Sequence, residues 1–164
     1  MMYLREIKRY SDGDKDFDLW LLLTRARYAV YRTRELELLR YNLTPEQAQV
    51  LFVVHSLKEN ASPAAIARAT FLKSHTISAI LDRMEKKDLI KKGRDPKHKN
   101  QIRVSLTDKG LEAYRLSAKR GPIHRIINNL NNEEREQLNR ILDKMLYAAG
   151  EELGLNRDNL PASD

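Results

Sequence analysis

Residues 74–106 read SHTISAILDRMEKKDLIKKGRDPKHKNQIRVSL, and within them the spacing of apolar residues changes from helical to alternating. Ile77, Ile80, Leu81 and Met84 recur at intervals of three and four, which makes them one stripe of a helix. Its other face carries Thr76, Ala79, Arg83 and Lys86, and Ser74 is the expected N-cap. Leu89–Lys92 and Gln101–Leu106 then read as strands. In the second, Ile102, Val104 and Leu106 point one way while Gln101, Arg103 and Ser105 point the other. The loop between, Gly93–Asn100, has Gly93, Pro96 and Asn100 as turn formers and a run of cations in Arg94, Lys97 and Lys99, with Lys92 just before it.

Upstream, Ser62-Pro63 gives the start signal of a short helix, Ala64 to Thr70, anchored by Ile66. Before it, Thr44-Pro45-Glu46-Gln47 is a capping box that opens a helix running to about Leu57. Two short helices followed by a hairpin with a basic tip describe a winged helix-turn-helix, here 44–107. The exposed face of its second helix fits the B-DNA major groove, where Ser, Thr, His and Arg reach base edges, while the tip grips phosphates or an adjacent minor groove.

The flanks are helical. Residues 17–41 contain neither Gly nor Pro, follow a cluster of acids (Asp12, Asp14, Asp16, Asp18), and repeat apolar residues from Leu19 to Leu36. Downstream, Thr107 caps a helix that Gly121-Pro122 should break or kink. A last helix starts at Asn131 or Asn132 and is expected to bury Leu138, Ile141, Leu142, Met145, Leu146, Ala149 and Leu153. The tail from Gly154 is expected to fray. The fold class is therefore mainly α with a small β-hairpin, a single domain over 1–164. The helices at 17–41 and 108–153 could pack within one chain or against a symmetry mate. The second arrangement is favoured, because the winged region alone cannot cover both and a dimer reads two half-sites.

Charge and composition narrow the function. The formal charge is +7, and between Ile66 and Gly110 stand 12 basic and 5 acidic residues, so this one window carries the entire excess. Such a concentrated excess is the footprint of a polyanion-binding surface, with a solvated charged face as the plain alternative. The longest apolar run, Leu19 to Leu23, is far short of the roughly 20 residues that span a bilayer, and the N-terminus has no signal-like apolar core. A cytoplasmic protein without membrane contact is expected. There is no cysteine, and the histidines at 55, 75, 98 and 124 are too dispersed for an obvious metal site, so neither a metal nor a cofactor is expected. Among six glycines none forms a phosphate-binding loop, and no nucleophile–base pair has recognisable spacing, which argues against an enzyme.

Four runs carry a family resemblance: Leu43-Thr44-Pro45-Glu46-Gln47, Leu72-Lys73-Ser74-His75-Thr76-Ile77-Ser78, Leu81 through Ile90, and Val104-Ser105-Leu106-Thr107-Asp108-Lys109-Gly110. In order and spacing, from Phe17 to Leu153, the chain resembles the multiple-antibiotic-resistance regulator (MarR) family. The resemblance implies a homodimer held by its N- and C-terminal helices. It also implies binding to a pseudo-palindromic duplex operator, usually as a repressor that a small-molecule effector releases. By position it puts Ser74, His75, Thr76, Ser78 and Arg83 on the recognition helix, Ser74 and Arg83 toward phosphate and His75, Thr76 and Ser78 toward bases, with Lys73 just before it as a further DNA contact. Arg94, Lys97 and Lys99 fall on the wing. His98-Lys99-Asn100 departs from the usual Asp followed by two basic residues, which makes Arg94 or Lys99 the contact candidate at the tip. Asp88 stands where the family favours Gly, so the recognition helix must end on a less permissive residue.

The resemblance further implies an effector cleft between the dimer helices and the DNA-binding region, which Tyr28, Tyr31, Phe52 and His55 would line. Ordinary packing is the simpler reading of a tyrosine stripe at helical spacing. A winged-helix protein-interaction module and a nonspecific architectural DNA binder are the alternatives to a specific regulator.

Overall fold

The structure, a computed structural model, describes residues 13–94 and 101–154. In chain order it comprises α1 (Lys15–Leu39), α2 (Pro45–Leu57), a 3₁₀ turn (Lys58–Asn60), α3 (Pro63–Thr70), α4 (Ser74–Lys86), β1 (Ile90–Arg94), β2 (Ile102–Leu106), α5 (Asp108–Ser117), α6 (Gly121–Ile127) and α7 (Asn132–Glu152).

Most boundaries follow from caps. The Asp14 carboxylate accepts the Asp16 and Phe17 amides at 2.9 and 3.1 Å, so α1 begins before the first apolar repeat. Thr44 and Gln47 exchange side chain and backbone in a complete capping box, Asn131 and Glu134 do the same for α7, and Ser62 and Thr107 cap α3 and α5. Ser74 is a correction: it is the first helical residue of α4, the cap position falls on extended Lys73, and no side chain caps this helix. The Gly121-Pro122 break is present, with α5 ending at Ser117 and α6 starting at Gly121.

The core is built around α2. Its buried Val50, Leu51, Val53 and Val54 meet Ile66 of α3, Ile77, Ile80, Leu81 and Met84 of α4, and Val104 of β2. Ala113 and Tyr114 of α5 pack against the same cluster, so α5, expected among the dimerisation helices, joins the winged unit of its own chain.

The hairpin is antiparallel, with Ile90 opposite Leu106 and Arg94 opposite Ile102. This corrects the expected start of the loop: Gly93 and Arg94 continue β1 because Arg103 and Ile102 stand opposite them, and pairing overrides the turn tendency of Gly93. Lys92 and Val104 face each other, yet both amides point outward. Val104 N–H donates to the Ala61 carbonyl at 2.8 Å, and Lys92 N–H donates to the Glu85 carboxylate at 3.2 Å. Both edges of the hairpin are thus occupied by the rest of the molecule.

The long helices behave differently. In α1 Leu38 is the buried residue, and in α7 it is Gly150. Of the residues expected to be buried along α7, Leu138, Ile141, Leu142, Met145 and Leu146 are each 38–45% exposed and Leu153 is 70% exposed, because one chain offers them no partner surface. Phe17, Leu19, Trp20, Leu22, Leu36 and Leu39 of α1 are likewise exposed.

Candidate nucleic-acid interface

The surface is organised by α4. Ile77, Ile80, Leu81 and Met84 are buried, which turns Lys73, Ser74, His75, Ser78, Ala79, Asp82, Arg83 and Lys86 outward. Thr76, expected to face bases, is only half-exposed. The Ser78 hydroxyl donates to the Ser74 carbonyl at 3.1 Å, and Arg83 Nε bends back to the Ala79 carbonyl at 3.1 Å. With no side-chain cap, the first-turn amides of α4 and its positive dipole end face outward beside Lys73, a suitable arrangement for an anion.

The exit from α4 fixes the hairpin against it. Asp88 takes the left-handed conformation at φ 58°. Its amide donates to the Glu85 carbonyl and that of Leu89 to the Met84 carbonyl, both at 2.9 Å, with Leu89 and Met84 buried together. This is a complete Schellman stop on a non-glycine residue. Thr107 closes the junction from the other side: its hydroxyl donates to the Asp88 carbonyl at 2.6 Å and its amide to the Leu89 carbonyl at 3.2 Å. The following Gly110 lies so close that a Cβ there would stand 1.8 Å from the Leu89 carbonyl oxygen. The glycine of Leu106-Thr107-Asp108-Lys109-Gly110 is therefore required by the close approach of backbone to backbone.

Part of the basic window makes contacts within the protein. Lys87 Nζ donates to the Asn42 carbonyl at 3.0 Å and Lys109 Nζ to the Lys87 carbonyl at 2.8 Å. Lys92, counted with the wing cations, turns instead to α4, where its ammonium pairs with Asp82 and, at 3.1 Å, with Glu85. The hydrogen bond to Asp82 holds the lysine above its ordinary pKa and, reciprocally, the Asp82 carboxyl below the usual carboxylate range. Sequence reasoning missed this. Two acids three residues apart within a basic stretch were the available signal. On the wing Arg94 is exposed at the end of β1, while Lys97 and Lys99, with His98 and Asn100, lie outside the described residues.

The four expected cleft residues do not share a cavity. Tyr28 is exposed. Tyr31 donates its hydroxyl to Glu46 of α2, and burial, followed by that bond and the charge of Glu46, pushes the phenol up to about 12. Desolvation pushes the Glu46 carboxyl upward. Hydrogen bonds from Tyr31, its own amide and Thr44, with the charge of Arg83, outweigh that and hold it below its ordinary value. Phe52 lies under the Arg120 guanidinium, 5.0 Å from the ring centre, and lines a cleft of about 270 Å³ with Arg34, Gln49, Tyr114 and Ser117. His55 stacks on Tyr114 at 4.1 Å and lines a separate cleft of about 320 Å³ with Arg103 and Thr107. A larger cleft, about 550 Å³, lies between α1 and α6 and is bordered by Leu36, Arg40, Tyr41, Lys119, Arg125 and Ile126. Among the described residues no group of three or more His, Asp or Glu could hold a metal ion, and no helix is long and apolar enough to cross a membrane.

The connection from this head to α1 and α6 runs through a half-buried pair. Arg34 and Glu37 are bonded to each other; Arg34 Nη2 donates to the Ser117 carbonyl at 2.6 Å, and Glu37 Oε1 accepts the Gly121 amide at 2.9 Å. Between those two points Arg120 is left-handed, at φ 48°.

Known proteins with the same pattern are regulators. The family model described as MarR family matches residues 41–99. The HTH-type transcriptional regulator MgrA of Staphylococcus aureus is 30% identical over 115 residues, 68% of this chain and 76% of its own. The HTH-type transcriptional repressor MdtR of Bacillus subtilis is 32% identical over 114 residues, 67% of this chain and 72% of its own. In fold, the chain is similar to the ligand-free organohalide-sensing regulator RdhR-CbdbA1625, with TM-score 0.77, 24% identity and coverage of 94% of this chain and 97% of that one. It is also similar to a mutant MarR from E. coli complexed with operator DNA, with TM-score 0.75, 20% identity and coverage of 83% and 99%.

Proposed function

We propose, from the premise that this chain belongs to the MarR family of DNA-binding transcriptional regulators and is not an enzyme, that it acts as a homodimeric, sequence-specific repressor relieved by a small-molecule effector. The observation that carries the DNA-binding part is the division of α4: four apolar residues anchor one face, and the opposite face presents Lys73, Ser74, His75, Ser78 and Arg83. Two copies of this helix lie in successive major grooves, and Arg94, with Lys97 and Lys99, grips the flanking backbone. The dimer joins through the apolar faces of α1 and α7, which their own chain leaves uncovered. The effector site is the cleft at Phe52, where Arg34 and Arg120 stand among aromatic side chains, beside the connection to α1. Effector binding there alters the spacing of the two heads, and both helices must dock together for operator binding.

The test is selection of a duplex from a random library, followed by fluorescence anisotropy of the selected site against excess unrelated DNA. Tight, competitor-resistant binding is expected. Arg94→Ala should weaken it on every sequence, whereas Ser78→Ala should weaken it on the selected site alone. Equal affinity for all duplexes would make the protein an architectural binder, and no binding to any duplex would leave the protein-interaction reading.

A further inference from the structure

Among the described cations of the basic window, Lys92 is one that meets two carboxylates at once. Its side chain is 23% exposed, whereas the carboxylates it meets, Asp82 and Glu85, are 62% and 44% exposed, so the cation lies behind the anions. Glu85 grips this residue twice: Oε1 accepts its backbone amide at 3.2 Å and Oε2 its ammonium at 3.1 Å. Asp82, one helical turn earlier, takes the same ammonium. Across the hairpin, the opposed Val104 is fully buried and sends its own amide to Ala61. The strand is therefore held on both sides, and the ammonium cannot swing outward without abandoning two carboxylates.

Those carboxylates stand on the outward side of α4, next to Arg83 and one turn beyond Ser78. Charges there act on phosphates within about 8 Å at physiological salt. We propose that Lys92 is a positioning residue for DNA recognition, which touches no DNA, clips the wing to the recognition helix, and halves the negative charge of the two carboxylates that would otherwise repel the phosphate backbone. The inference rests on the reading of α4 as the DNA-contacting helix.

A double-mutant cycle on the full-length protein tests it, with anisotropy on the duplex that the wild type selects. Lys92→Met should lower affinity about tenfold or more, because two uncompensated carboxylates then face DNA, while Lys92→Arg, which can serve both acids, should stay within about threefold of wild type. Asp82→Asn with Glu85→Gln should change affinity less than about threefold beside Lys92, yet restore most of the loss beside Met at that position. Thermal melts establish that all the proteins are folded, and the triple variant, which lacks every one of these ion pairs, serves as the reference for a purely structural effect. Equal effects of the carboxylate changes in both backgrounds would mean that Lys92 contacts phosphate independently, and would overturn the inference. A change of base preference on Asp82→Asn would overturn it too, by making Asp82 a base contact. Loss of all duplex binding by the wild type itself would remove the reading beneath it instead.

Discussion

Gly110→Ala should be among the most damaging single-methyl additions this chain can receive. The new Cβ would stand 1.8 Å from the Leu89 carbonyl oxygen and 2.8 Å from its carbon, where real Cβ atoms keep at least 3.0 Å. Both partners are backbone, and Leu89 is held by its own bond to Met84, so α5 must withdraw by more than an ångström. That withdrawal stretches the Thr107 bonds to the Asp88 and Leu89 carbonyls, at about 1 kcal/mol each, and opens the packing of Ala113 and Tyr114 on the core. A total near 3–4 kcal/mol is expected, a large part of the 5–15 kcal/mol typical of a domain. In a chain of this size it lowers the melting temperature by about 10 °C. The assay is thermal unfolding followed by circular dichroism at one fixed protein concentration, since the proposed dimerisation would make the midpoint concentration-dependent. Gly93→Ala is the control: a Cβ there meets nothing within 4 Å, and the midpoint should stay put. A Gly110→Ala protein melting within about 2 °C of wild type would refute the reasoning, because the junction would then have room the geometry denies it.

Asp88→Gly relieves the left-handed residue that ends α4 and should raise stability by about 0.5–1 kcal/mol, read as a higher urea midpoint with an unchanged slope. Tyr31 is neutral when bonded to Glu46 and its pKa is raised, so its contribution is complete below pH 10.0 and is lost as the pH climbs to about 12. The alkaline fall in wild-type stability across that window should flatten in Tyr31→Phe, measured by urea unfolding at several pH values. Leu142→Glu places a charge in the uncovered stripe of α7 and should convert the sedimenting species from dimer to monomer while leaving the helical circular dichroism signal intact. A monomeric wild type would defeat that expectation. Glu37→Ala leaves Arg34 half-buried beside one carbonyl and the Gly121 amide unaccepted, and should cost about 3 kcal/mol in the same unfolding assay.

Much of the head was legible because its signals are local. The capping box at Thr44, the helix start at Asn131 or Asn132, the start at Ser62-Pro63, the apolar stripe of α4 and the break at Gly121-Pro122 depend on residues within a few positions of one another. Ser74 misled because the cap position fell one residue earlier, on extended Lys73, against the N-cap preference for serine. Gly93 misled because turn preference yields to ladder pairing when a partner such as Arg103 is available, and partners are not written in a strand's own sequence. The site divides in the same way. The outward face of α4 follows from helical period, but Lys92–Asp82, Arg34–Ser117 and Arg120–Phe52 join residues distant in sequence through the fold. A count of basic residues therefore overstates the uncompensated charge, since Lys92 is paired with Asp82 and Glu85.

Leu89 has a mechanical consequence. Recognition helix, hairpin and α5 meet at this one residue: α4 ends on its amide, β1 begins beyond it, and Thr107 and Gly110 lean on its carbonyl. Three elements locked at a common point turn as one lever, so the angle between α4 and the wing is not an adjustable quantity. The head joins the rest of the chain at two passages, Arg40–Leu43 from α1 and Ala118–Arg120 into α6, and Arg34 and Glu37 bridge the second. In the proposed dimer, a change at that bridge would carry α4 and the hairpin together.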